Sequence, residues 1–214
     1  MPTTDVGLLI QQTILSAPAI LFGLTIHEFC HGFVAWRLGD PTARNRGRLT
    51  LNPLKHLDPI GTIALFLFRF GWARPVPIDP RYFRHPDRDM ALSSLAGPAA
   101  NLATAAVSGL ILRLLLLAGV SGFFLQITSY FVLFNLILCF FNLIPIPPLD
   151  GSRLVYYFLP DRLAAAYARL ERYGFLILIG IIFVGQLTGI SLIWWYMAPL
   201  VRLFSLLFAG TQVM

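Results

Sequence analysis

Three apolar runs, residues 6–26, 90–120 and 123–143, constrain this chain more than any other feature of its sequence. Coiled as a helix, the first reaches roughly 31 Å and the others about as far or farther, enough to cross the hydrocarbon core of a bilayer. Composition agrees. Of the 214 residues 57% are hydrophobic and only 12% charged, about half the charge of an ordinary soluble domain.

Two further apolar stretches need a different reading. Residues 173–208 are too long for one span, and Gly185, Gly189 and Ser191 offer a turn, so a C-terminal hairpin of two short helices is expected. The run TIALFLF, 62–68, is too short to cross and is flanked by Pro59, Gly61 and Arg69, which suits a re-entrant, β-like segment over about 60–80. The expected fold is an all-α polytopic membrane protein of about five to six transmembrane helices, forming a single domain over 1–214. No Lys or Arg precedes the first apolar run, so no cleavable leader is expected. Cys30 and Cys139 lack metal or redox spacing and fit small core residues.

The net charge of +6 needs no nucleic-acid partner, because the basic residues follow a membrane pattern. Fourteen of the 16 Lys and Arg fall within 37–55, 69–88 and 153–172, whereas the connections 1–7, 119–122 and 185–191 have none. The positive-inside rule then places the N-terminus outside and the three basic stretches in the cytoplasm of a multi-pass cell-membrane protein. A re-entrant rather than crossing segment at 62–68 keeps its basic neighbours on one side.

The first apolar run leads into TIHEFCHGF, 25–33, on an expected helix over about 6–38. On a helix His27 and His31 share one face, within reach of one ion, and Glu28 sits beside that face. Imidazole suits zinc, and a carboxylate next to an open coordination position can take a proton from water. A chance occurrence is disfavoured here, since the chain has only two glutamates and ionisable groups at membrane depth are costly. Two histidines leave the set one ligand short. His56 and His85 fall in polar, basic connections, which leaves Asp150 as the better third ligand. It ends FNLIPIPPLDG, where Pro145, Pro147 and Pro148 stop the preceding helix, and unwound backbone at membrane depth must line a cavity or be buried in protein. Taken alone, Asp150 would be an ordinary turn aspartate before Gly151.

With these motifs the chain resembles the site-2 protease family of intramembrane zinc metalloproteases. Besides HEFCH and FNLIPIPPLDG it has NPLKHLDPIGT (52–62), FGWARPVPIDPRYFR (70–84) and LAGPAANL (95–102), in the family's order. The resemblance covers most of 26–153 and is that of a minimal, core-only member, with no room for PDZ or CBS domains. It implies one catalytic zinc ion on His27, His31 and Asp150, with Glu28 activating water for peptide hydrolysis within the membrane. It also implies that Asn142 holds the substrate backbone or the oxyanion; the alternative is that its amide satisfies backbone groups freed by the prolines. Gly97 and Asn101 match the family's short glycine motif, and small residues four apart favour close helix packing. Val76 and Ile78, in FGWARPVPI, fit an edge strand to which an unwound substrate adds by strand pairing.

The implied partners are the lipid bilayer and a single-span membrane substrate, such as an anti-sigma factor or a remnant signal peptide already trimmed by another protease. A homo-oligomer is compatible with the sequence. Two other classes compete: a metal transporter or metal-binding membrane protein, which would string further ligands along a path, and an inactive membrane scaffold, which would not need Glu28.

Overall fold

The structure is a computed structural model that describes residues 6–61, 63 and 71–213. It is built from α1 (Val6–Arg37), a single turn α2 (Thr42–Asn45), α3 (Pro86–Leu117), α4 (Phe123–Asn142), a short α5 (Asp150–Phe158), α6 (Asp161–Thr188) and α7 (Leu192–Ala209). Five of these, all but α2 and α5, are long and apolar enough to cross a membrane. Large side chains such as Leu117, Phe124, Leu176 and Trp195 are exposed on them, as expected of surfaces that meet lipid rather than water. The chain is an all-α polytopic membrane protein.

Local chemistry sets the helix ends. Gly39 turns α1 off with φ of 115°, a conformation that a Cβ disfavours. The buried Asp40 then receives the N–H of Thr42 at 2.9 Å and of Asp79 at 2.7 Å, tying two polar connections together. Helix α3 begins with Pro86, whose missing N–H costs nothing in a first turn, and Asp89 accepts the N–H of His85 at 3.2 Å.

Helices α1, α3 and α4 pack together, and α7 packs on α3 and α4. Val132, Leu136, Cys139, Ala105, Leu112 and Val201 are buried there. The C-terminal end of α7 lies beside that of α3: Phe208 abuts Gly109, and the Arg113 guanidinium donates to the carbonyls of Leu206 and Leu207. Arg113, an isolated cation in an apolar run, thus caps the negative end of a helix.

Two expectations change. The C-terminal pair is not two short helices: α6 starts at Asp161, a dozen residues before the expected 173, because LAAAYARLER is made of strong helix formers and nothing in it breaks the coil. The connection 185–191 was expected on the side of 119–122 for want of basic residues. Helix α7 instead runs in the same sense as α3, with Phe204 against Phe140 and Phe208 level with Gly109. The α6–α7 corner therefore lies toward the Pro86 end of α3; a connection without Lys or Arg carries no topological instruction in either direction.

The re-entrant run at 62–68 lies outside the described residues apart from residue 63. Residues 71–79 form no strand; among the described residues their one ladder contact is an antiparallel bridge between Leu57 and Ala73. The segment is an irregular strap, held where Arg74 N–H donates to the His56 carbonyl at 2.8 Å and Arg48 Nη2 to the Arg74 carbonyl at 2.7 Å.

Candidate metal centre

Helical spacing brings His27 and His31 onto one face of α1, where both are buried. The rings meet edge to face with Nε2 atoms 2.9 Å apart. Asp150, the first residue of α5, places Oδ2 at 3.1 Å from His27 Nε2 and 3.2 Å from His31 Nε2. The prolines end α4 at Asn142, and the irregular turn over 143–149 carries Asp150 back into the bundle. The structure thus brings together the three expected ligands from two distant segments.

Hydrogen bonding decides what these atoms can hold. His31 Nδ1 lies 2.7 Å from the Ser93 carbonyl, which only accepts, so its proton is on Nδ1. His27 Nδ1 lies 2.6 Å from Asn101 Oδ1, likewise an acceptor. In the neutral rings both Nε2 atoms then present lone pairs, and they converge on the buried Asp150 Oδ2, which has no other hydrogen-bond partner among the described residues. Three acceptors facing one another at 2.9–3.2 Å call for a positive charge between them, a proton or a metal ion. Two imidazole nitrogens and one carboxylate oxygen form the donor set of a catalytic zinc site, whose ligand atoms sit about 3.3 Å apart given bonds of about 2.0–2.1 Å. The residues fit the ion.

Gly97 makes the close approach possible. A Cβ at this position would lie 2.7 Å from His27 Cε1 and nearer still to His31 Nε2. Pro98 follows it, and α3 presents bare backbone to both rings.

Glu28 is half-buried beside the pair, and its Oε2 accepts the N–H of Val76 at 2.8 Å. The Val76 side chain is turned inward against Gly32, while Ile78 is half-buried. Arg48 is buried behind the strap, and its Nε has no partner among the described residues. Burial pushes its guanidinium pKa down, as does the Arg74 charge, and the Glu28 carboxylate opposes both. Asn142 lies half-buried at the end of α4 and donates one amide hydrogen to the Leu138 carbonyl at 2.9 Å. His56 is a buried, hydrogen-bonded residue of its connection and reaches the Thr50 carbonyl at 2.8 Å through Nε2.

The packing role expected of Gly97 and Asn101 holds only for the glycine. Asn101 is wholly buried and bonds to His27, and Asn135, which sequence reasoning passed over, is buried against it. The signal was there: each is an asparagine inside an apolar helix, where an amide without a partner is costly.

The family model of Peptidase family M50 matches residues 117–185, a stretch that includes Asn142 and Asp150. "Putative zinc metalloprotease YwhC" of Bacillus subtilis is 40% identical over 200 residues, covering 88% of this chain and 90% of that protein. "Putative zinc metalloprotease Rip2" of Mycolicibacterium smegmatis is 33% identical, covering 82% and 70%, and its Mycobacterium tuberculosis counterpart 34%, covering 87% and 71%. No solved structure matches.

Proposed function

The chain belongs to peptidase family M50, the site-2 type of zinc metalloendopeptidase, and we propose that it hydrolyses peptide bonds in or beside the transmembrane segments of membrane proteins. The observation that carries this reading is the convergence of His27, His31 and Asp150 within a bundle of membrane-length helices, with Glu28 on the adjoining face.

One zinc ion on these three side chains would supply Lewis-acid polarisation of water and of the scissile carbonyl. Glu28 is the base: it takes the proton of the attacking water and delivers it to the leaving amide nitrogen. The Val76 N–H holds one carboxylate oxygen, which fixes the side chain and leaves the other free for the proton.

A membrane helix hides its backbone in internal hydrogen bonds, so the substrate must unwind before it reacts. The strap suits an unwound chain. Arg74 and Val76 each precede a proline, which keeps them extended, and residues two apart in an extended chain present their amides to one edge. On that edge Val76 N–H serves Glu28, while the Val76 carbonyl and Ile78 N–H have no partner among the described residues. A substrate strand adds there, beside the base. The second amide hydrogen of Asn142 is available to its carbonyl oxygens. Helix-weakening residues in the substrate favour cleavage, and specificity comes from access more than from side-chain pockets.

The substrate class is a single-span membrane protein, for which an anti-sigma factor or a remnant signal peptide are examples. The protein is placed in the cell membrane with its N-terminus outside and its water-accessible site toward the cytoplasm. The test is cleavage of single-span substrates by the purified protein, with the cut mapped by mass spectrometry. A cut inside or beside the apolar segment supports the reading; cleavage confined to soluble unfolded chains would overturn it.

A further inference from the structure

We propose that Asn101 and Asn135 are positioning residues, forming a directional chain of amide hydrogen bonds from the Phe131 carbonyl to His27 that holds this imidazole in its Nδ1–H form with Nε2 aimed at the metal. The proposal rests on the metal reading above.

The direction of the chain follows from groups that can only accept. Asn135 lies 2.9 Å from the Phe131 carbonyl, so its NH2 faces that oxygen and its Oδ1 faces away. Asn101 lies 2.9 Å from that Oδ1 and 3.0 Å from the Gly23 carbonyl, two acceptors that together require its NH2. Its own Oδ1 is then left for His27 at 2.6 Å, and His27 must supply the hydrogen from Nδ1. Each link settles the next, and in the neutral imidazole the last leaves Nε2 unprotonated.

Both amides are fully buried in the apolar bundle. No water competes for these bonds, and a flipped amide would set oxygen against oxygen. The two histidines differ in what they depend on. His31 is oriented by the Ser93 carbonyl, a backbone group that no substitution removes. His27 alone depends on side chains, and on two in series. Gly23 makes the room: a Cβ there would lie 2.7 Å from Leu138 Cδ1 and 3.0 Å from Asn135 Oδ1.

Partners of this kind commonly set metal affinity by 10- to 100-fold. Zinc affinity is measured on the full-length protein by competition with a chromophoric chelator, alongside thermal unfolding of the metal-free form. Asn101→Leu is expected to lose about 10- to 100-fold in affinity, and Asn135→Leu to lose less, since Asn101 remains but is free to flip. Asn101→Asp still accepts from His27 Nδ1 while losing its donations to Gly23 and Asn135. It is expected to keep zinc affinity and lose thermal stability, a split that mere packing does not produce. Wild-type affinity in both Leu variants, or equal loss in Asn101→Leu and Asn101→Asp, would overturn the proposal.

Should the Leu variants not fold, 15N NMR of histidine-labelled wild-type protein before zinc addition decides it. The Nδ1–H tautomer of His27 is expected, and an Nε2–H tautomer would overturn the proposal. Wild-type protein that takes up no zinc would overturn the metal reading and this inference together, whereas zinc-binding wild type with unaffected variants would overturn this inference alone.

Discussion

The carboxylate of Glu28 accepts the backbone N–H of Val76 at 2.8 Å, across 48 residues of chain. The base is thus held by the strap rather than by its own helix. Val76→Pro removes this hydrogen in a context already extended by Pro75 and Pro77 and is expected to slow peptide cleavage roughly 10- to 100-fold, the worth of a hydrogen bond to a charged group. Val76→Ala, which keeps the N–H, should stay near wild type. Cleavage kinetics with zinc content measured in parallel check this; equal loss in both variants would show that the side chain matters instead.

Strand addition predicts a separate effect one step along the strap. Ile78→Pro deletes the N–H that has no partner among the described residues on the edge beside Glu28 and is expected to raise KM with zinc content unchanged. Unaltered cleavage would count against a substrate strand at this edge.

Gly97 touches both imidazoles and Gly180 faces open space. Gly97→Ala is therefore expected to displace His27 and His31 and abolish zinc binding, while Gly180→Ala binds zinc as wild type does. Metal analysis of the two purified variants reads the difference directly.

Asp40 is buried and receives two backbone N–H groups, one of them Asp79 at the end of the strap. Asp40→Ala leaves both donors unmet and is expected to cost about 1–3 kcal/mol of stability for each buried group left unpaired, seen as a lowered thermal midpoint.

Much of this was legible in the sequence, and the reasons differ by residue. His27, Glu28 and His31 could be read because helical spacing is local and ionisable residues are rare in an apolar run. Asp150 needed more: prolines that stop α4 and a ligand set one member short. The ends of α1, α3 and α4 fell within a few residues of expectation because apolar length is itself the signal. What escaped was pairing across helices. Nothing local says that Asn101 meets His27, that Asn135 meets Asn101, or that Val76 supplies its N–H to Glu28; these depend on the relative height of α1, α3, α4 and the strap. The sense of α7 escaped for the same reason, since it is settled by Phe208 and Arg113 contacts rather than by loop charge.

The most direct test compares wild type with Glu28→Gln on a panel of single-span substrates in detergent, with zinc quantified in both. The account predicts zinc in both proteins and cleavage by wild type alone. Equal cleavage by Glu28→Gln, or the absence of zinc from both, would contradict it.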